Sequence, residues 1–126
     1  MPYMKQDMAL GSMFRHTFLG NYKEHLWFVL TPPHAGNQVV VSMTTWKPTK
    51  DNDETVLLHP DPQYPWIQHK SYVAYFAARL ESKDTLRMFK LLSIVDTKLV
   101  DKMRKGVHDS LYSPQFVIDF LVKWGY

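Results

Sequence analysis

The sequence predicts a single α+β domain in which a small antiparallel barrel or curled sheet is followed by helices. Short runs rich in apolar and β-branched residues recur through the first two thirds of the chain, separated by turn-forming prolines and glycines. Two segments with apolar residues at helical spacing then follow. At 126 residues, of which 45% are hydrophobic, the chain is long enough to bury one core. We therefore expect residues 1–126 to form one domain.

The first three strands are predicted from apolar runs and the turn signals that bound them. "LWFVL" (Leu26–Leu30) and "QVVVSMTT" (Gln38–Thr45) flank the turn-forming "TPPHAGN", and together they predict an antiparallel hairpin. "TVLLH" (Thr55–His59) predicts a third strand. The prolines of the following "PDPQYP" prevent regular pairing, so that segment is predicted to be irregular.

A fourth strand is predicted over residues 67–76, inside the stretch "PWIQHKSYVAYFAARL". Side chains alternate between the two faces of a strand, so His69 and Ser71 face one way and Lys70 faces the other. Apolar groups occur on both faces, which predicts a strand that is covered on both sides for part of its length.

Helices are predicted near both ends of the chain. Residues 4–14 fit a short helix, whereas residues 79–93 fit either a helix or a strand. In "VDTKLVDKMRKGV", Asp96 or Thr97 can cap the start of a helix and Gly106 its end.

The C-terminal segment "SPQFVIDFLVKW" predicts a final helix with Ser113 as N-cap and Pro114 at its first position. Five apolar residues at helical spacing predict the face that packs on the sheet: Phe116, Val117, Phe120, Leu121 and Trp124.

Composition and charge limit the classes of function. The chain has no cysteine, which excludes disulfides, cysteine-bound zinc and a thiol nucleophile. No apolar run approaches the roughly 20 residues of a membrane span, and the first residues lack a secretory pattern, so we expect a cytoplasmic protein. Lys and Arg number 5 against 6 Asp and Glu over residues 1–63, but 10 against 6 over residues 64–126. The positive second half favours nucleic acid or an acidic protein as a partner.

The order of segments "HLWFVLTPP…NQVVVSMTTW…TVLLHP…YPWIQHKSYVAY" resembles the MazF/PemK-like toxin superfamily over roughly residues 14–80 and the last helix. The resemblance implies a small SH3-like antiparallel β-barrel with appended C-terminal helices, and it places Thr44 or Thr45 at the family's threonine position. The "GDI" opening and the Arg-Pro pair of the toxins are absent, and Arg15 is the only arginine in the first half of the chain.

The resemblance implies a toxin–antitoxin-type RNA-binding protein, or an endoribonuclease-like toxin with degenerate catalytic residues. Its partner would then be single-stranded RNA or an acidic antitoxin-like protein, and the resemblance also implies a homodimer. The alternative is a non-enzymatic protein-interaction module, because exposed aromatic residues on an SH3-like barrel can also hold a peptide.

Metal-independent RNA cleavage needs a base, an acid and a cation near the phosphate, and aromatic rings can stack on unpaired bases. The residue types in and around the fourth strand meet these needs. The candidate catalytic residues are His69, Ser71 and Thr45. The candidate RNA-binding residues are Lys70, Arg79, Trp46 and Trp66.

A structural role competes with the catalytic one, since His69 and Ser71 can instead hydrogen-bond the backbone where the proline-rich loop joins the strand. We expect no cofactor and no metal site, because no two of the six histidines have the i, i+4 spacing of a helical zinc site.

Overall fold

The computed structural model describes residues 6–18 and 24–126. Within these residues the chain forms a curled, antiparallel half-barrel sheet with short helices, which confirms the predicted α+β class. The strands are β1 (Ser12–His16), β2 (His25–Val29), β3 (Asn37–Thr45), β4 (Leu57–Leu58), β5 (Ser71–Ser82) and β6 (Ser93–Ile94). The helices are α1 (Lys83–Leu86), α2 (Thr97–Asp109) and α3 (Gln115–Lys123).

The six strands of the described residues lie in the order β4-β5-β3-β2-β1-β6. The predicted hairpin is confirmed as β2 and β3, and its loop ends in a tight turn at Ala35 and Gly36, with φ of 49° and 81°. Two successive positive φ angles belong to the turn whose twist matches that of the flanking strands. The predicted third strand is confirmed as the two-residue β4, which is short because prolines follow it.

The helix predicted over residues 4–14 is wrong for the residues that the structure describes, since Ser12–His16 is a strand. Gly11 lies at the start of this strand with φ 87°, a conformation that favours glycine. Its N–H donates to Val29 O at 2.8 Å, and its carbonyl accepts from Val95 N at 2.9 Å. The backbone at Gly11 therefore holds β1 between β2 and β6, and long-range pairing overrides the local preference.

The fourth predicted strand exists as β5, but it begins at Ser71 and continues to Ser82. This extent resolves the ambiguity over residues 79–93, which contain the end of β5, all of α1 and the first residue of β6. Val40 pairs with Arg79 and Ser42 with Ala74, so residues 75–78 of β5 lie opposite one residue of β3. This irregularity is larger than an ordinary bulge of two residues against one, and within it Phe76 is 58% exposed to solvent.

Both faces of the sheet are covered. On the helix face, α2 and α3 contribute Met103, Val107, Val117 and Leu121 to a core that contains Phe28 and other strand residues. On the opposite face, α1 and the flanking loops cover a second core, which includes Phe14, Trp27, Val40, Ala74 and Leu86. The fully buried Trp27 shows why the β2 sequence is continuously apolar rather than alternating.

The helix α2 starts where it was predicted but does not end at Gly106, because it continues to Asp109. Asp96 occupies the N-cap position without a side-chain capping bond. Gly106 is buried inside the helix, where a Cβ atom would overlap the Tyr75 hydroxyl. Its role is therefore close packing of the helix on the sheet rather than capping.

The helix α3 begins one residue later than predicted, so Pro114 rather than Ser113 occupies the N-cap position. Its predicted apolar face is only partly correct. Val117 and Leu121 are fully buried, whereas Phe116 is 56% exposed and Trp124 is 37% exposed. The buried sector of the helix is narrower than its apolar stripe.

Candidate functional site

Strand pairing brings three chemically useful side chains to one end of the helix face. Arg15 lies opposite Leu26 across β1 and β2, and Leu26 lies opposite Met43 across β2 and β3. Thr45, two residues beyond Met43, is paired with Ser71 of β5. Residues two apart on a strand share a face, so Arg15, Thr45 and Ser71 lie at the same end of the same face as the buried Leu26.

These residues line an open cavity of about 340 Å³, the sheet-end cavity. The proline-rich loop and the segment that leads into β5 form its other wall. Its full lining is Arg15, Glu24, His25, Leu26, Met43, Thr44, Thr45, Lys47, Trp66, Gln68, His69 and Ser71. The cavity thus contains the three candidate catalytic residues and one of the four candidate RNA-binding residues.

His25 lies at the first position of β2 and is half-buried. Its Nδ1 is 3.3 Å from the carbonyl oxygen of Met43. Because a carbonyl only accepts, Nδ1 carries the proton in this bond and Nε2 is the unprotonated nitrogen of the neutral ring. A neutral imidazole held in this tautomer can remove a proton from a ligand in the cavity.

His69 and Ser71 differ in what their side chains contact. The buried Ser71 hydroxyl donates to the His69 carbonyl at 2.8 Å, so it fixes the backbone just before β5. This bond confirms the backbone contact predicted for Ser71. The His69 ring is exposed and makes no hydrogen bond among the described residues. His69 therefore has an imidazole available to a ligand, on a backbone that Ser71 holds in place.

The cavity carries two cations and one carboxylate, from Arg15, Lys47 and Glu24. Within residues 6–18 and 24–126, neither Arg15 nor Lys47 forms an ion pair. An unpaired guanidinium offers paired N–H donors to a phosphate. The half-buried Trp66 ring completes the wall, with its centroid 5.2 Å from that of Phe28. Cation, imidazoles and aromatic ring are therefore all in reach of one ligand.

Lys70 and Trp46 are not among the residues that line the sheet-end cavity. The Lys70 ammonium lies 4.0 Å from the centroid of the Trp46 ring, and the backbone N–H of Trp46 donates to Lys70 O at 2.9 Å. Trp46 packs against the core of the opposite face. The alternation predicted for residues 69–71 is therefore observed, and it separates Lys70 from His69 and Ser71.

Arg79 is also remote from the cavity. It lies eight residues beyond Ser71 on β5, which corresponds to roughly 25 Å of extended chain. Its guanidinium contacts the Glu81 carboxylate and lies 4.8 Å from the centroid of the Phe18 ring. Arg79 thus stabilises the far end of the sheet, and it does not share a site with His69.

Four ionisable residues of the cavity were not named as candidate site residues from the sequence: Arg15, Glu24, His25 and Lys47. The β1–β2 register sets His16 opposite His25 and Arg15 opposite Leu26, and no local pattern specifies that register. One sequence signal could have pointed to Arg15, which is the only arginine in the first half of the chain. Because a helix was predicted over residues 4–14, Arg15 was not assigned to a strand.

The described residues contain no group of three or more His, Cys, Asp or Glu side chains arranged to hold a metal ion. Their helices are too short or too polar for any of them to cross a bilayer.

Comparison with protein-family models, curated proteins and solved structures gave no match to this chain.

Proposed function

We propose that the chain is a single-stranded RNA-binding protein with metal-independent endoribonuclease activity, of the MazF/PemK-like toxin type and with an SH3-like barrel. One observation supports this proposal above the others: a single cavity contains two histidines, two threonines and Arg15, which forms no ion pair within the described residues. Arg15 supplies the cation that the sequence resemblance left without a counterpart. A toxin–antitoxin setting in the cytoplasm belongs to the same proposal.

The residues of the cavity match the three needs of cleavage by the RNA 2′-oxygen. His25 Nε2 removes the 2′-hydroxyl proton, and the 2′-oxygen then attacks phosphorus. The bond from phosphorus to the 5′-oxygen breaks, and that oxygen takes a proton from His69. Arg15 stabilises the charge that develops on the phosphoryl oxygens. The products are a 2′,3′-cyclic phosphate and a 5′-hydroxyl, and exchange with water restores both histidines.

The assignment of base and acid follows from the surroundings of the two rings. His25 has its Nδ1 proton held by Met43 O, so Nε2 is available as a proton acceptor. His69 is exposed, so it can exchange protons with water between turnovers. Thr45, which is paired with Ser71 at the cavity edge, donates a hydrogen bond to the phosphate in this proposal.

The proposal is tested by incubating the protein with a long single-stranded RNA in the presence of a chelator. We expect cleavage, and we expect His25→Gln and His69→Gln each to reduce its rate by about 10²–10⁴-fold. Binding of RNA with 2′-O-methyl groups, which block attack by the 2′-oxygen, should remain in both variants. His108→Gln is the matched control, because His108 lies on α2 and outside the cavity.

Stability measurements separate catalysis from structure at the same residues. The exposed His69 ring lacks a hydrogen-bond partner among the described residues, so His69→Gln should leave the melting temperature unchanged. Ser71→Ala should lower stability by about 1 kcal/mol, since it removes a buried hydrogen bond. A His69 variant that melts early and keeps its activity per folded molecule would assign the ring to structure.

The exposed apolar residues around the α2–α3 connection favour a second candidate, a non-enzymatic interaction module. Leu111 is 95% exposed, Tyr112 61% and Phe116 56%. An apolar surface of this kind fits contact with another protein, such as a second copy of the chain or an acidic antitoxin-like partner. Light scattering tests the homodimer: a mass of 14.9 kDa across the micromolar range would exclude it.

A further inference from the structure

Three neighbouring cavities share residues of the proline-rich loop. Trp66 lines the sheet-end cavity and also a second cavity of about 270 Å³, which includes Gln63 and Tyr64. Gln63 and Tyr64 in turn line a third cavity of about 310 Å³, which also includes Lys98 and Lys102 of α2. Adjacent cavities share lining residues, so the three adjoin one another along the loop, and we call this series from the sheet-end cavity to α2 the path.

The path has aromatic residues in its middle. The Tyr64 and Trp66 rings have centroids 5.6 Å apart, and the Tyr64 hydroxyl donates to the Asp96 carboxylate at 2.8 Å. Both rings are half-buried, so each is held in place and keeps an exposed part. Aromatic rings that stack on bases, combined with cations that contact the backbone, bind single-stranded nucleic acid without sequence preference. Here the cations lie at the two ends of the path, and the middle cavity contains the Asp96 carboxylate, which accepts from Tyr64.

Two lysines of α2 line the far end of the path. Lys98 and Lys102 are exposed and lie one helical turn apart, about 6 Å along the axis. Neither forms an ion pair in the part of the chain that the structure describes. Asp61 is the carboxylate that shares this cavity, and its side chain already accepts from Gln63 N at 2.8 Å. The end of the path thus keeps a positive excess.

We propose that single-stranded RNA leaves the sheet-end cavity over Trp66 and Tyr64 and that Lys98 and Lys102 bind its phosphates. This assignment rests on the proposed function of the cavity. RNA fits the path better than an acidic peptide does, because it supplies both π-faces for the two rings and charges for the two lysines. The path gives the protein a preference for RNA longer than the cavity itself can hold.

The test compares a dinucleotide with an RNA of about ten nucleotides, both 2′-O-methylated. For the longer RNA, Lys98→Gln/Lys102→Gln should weaken binding about tenfold to thirtyfold near 0.1 M salt, and it should reduce the slope of log K against log salt by about 1.4. Dinucleotide binding should not change. Lys90→Gln/Lys123→Gln is the control, because it removes the same charge from exposed residues outside all three cavities.

The outcomes separate this inference from the proposed function. If the wild-type protein binds the dinucleotide and the longer RNA equally well, or if the control loses as much affinity as the Lys98/Lys102 variant, the path is wrong and the cavity proposal stands. If the wild-type protein binds neither RNA, both proposals fail. A polyglutamate peptide that binds as tightly as RNA through the same lysines would assign the path to an acidic protein segment instead.

Discussion

Gly106→Ala should destabilise the protein, although alanine is the better helix former. Gly106 lies inside α2, where the exchange alone would stabilise a helix by about 1 kcal/mol. The new Cβ atom, however, would overlap the Tyr75 hydroxyl and lie 2.5 Å from Tyr75 Cζ and 2.8 Å from Val56 Cγ2. The sign of the effect depends on whether Tyr75 can move.

The surroundings of Tyr75 resist that movement. The residue is fully buried, and its hydroxyl donates to Met103 O at 2.7 Å. Overpacking a core costs about 1–3 kcal/mol, and a buried hydroxyl that loses its partner costs about 1–3 kcal/mol more. These terms exceed the gain in helix propensity, so we expect a net loss of about 3 kcal/mol. For a domain of this size the melting temperature should then fall by about 10 °C.

Thermal melts of the wild-type protein and four variants test this reasoning. Lys105→Ala, at the exposed neighbouring position of α2, should change stability by less than about 0.5 kcal/mol. Tyr75→Phe removes the overlapping oxygen, so the double variant Gly106→Ala/Tyr75→Phe should be more stable than the sum of the single effects predicts. A Gly106→Ala protein that melts at or above the wild-type temperature would refute the argument.

Two further predictions concern α3 and Tyr64. Leu121→Ala should cost about 2–5 kcal/mol in chemical denaturation, because Leu121 is fully buried, whereas Phe116→Ala should cost less than about 0.5 kcal/mol. Burial, the hydrogen bond to Asp96 and the nearby carboxylates raise the pKa of Tyr64 to about 12 from 10.0. Since the folded pKa is the higher one, its stabilising contribution is complete below pH 10 and disappears as the pH rises to about 12. A difference absorbance titration against Tyr64→Phe measures this pKa, and Asp96→Asn should lower it.

The parts of the fold that could be predicted are those specified by neighbouring residues. The β2–β3 hairpin follows from two apolar runs around a turn sequence, and Ala35 and Gly36 adopt the positive φ angles that such a turn requires. The helices α2 and α3 follow from apolar residues at helical spacing. Their ends were less certain, because capping and packing both select glycine, serine and proline.

The parts that could not be predicted depend on contacts between distant residues. A helix was predicted where β1 begins, because the local sequence does not distinguish a helix from a strand there. Only the pairing of β1 with β2 and β6 selects the strand. The full length of β5 was hidden because its bulge interrupts the alternation of faces at Phe76. The sequence analysis grouped His69, Ser71 and Thr45 as one candidate site. It did not indicate that Arg15 and His25 line the same cavity, because that depends on the pairing of β1 with β2.

The sheet that builds the core also builds the site. Leu26 and Met43 contribute to the helix-side core, and the next positions along their strands line the sheet-end cavity. A slip of one residue in the β1–β2 register would turn Arg15 towards the opposite core, and it would remove Met13 from the helix-side core and Phe14 from the opposite one. Burial of those apolar residues therefore fixes the face on which Arg15 lies. The packing of the sheet core is thus sufficient to place Arg15 in the same cavity as His25 and His69.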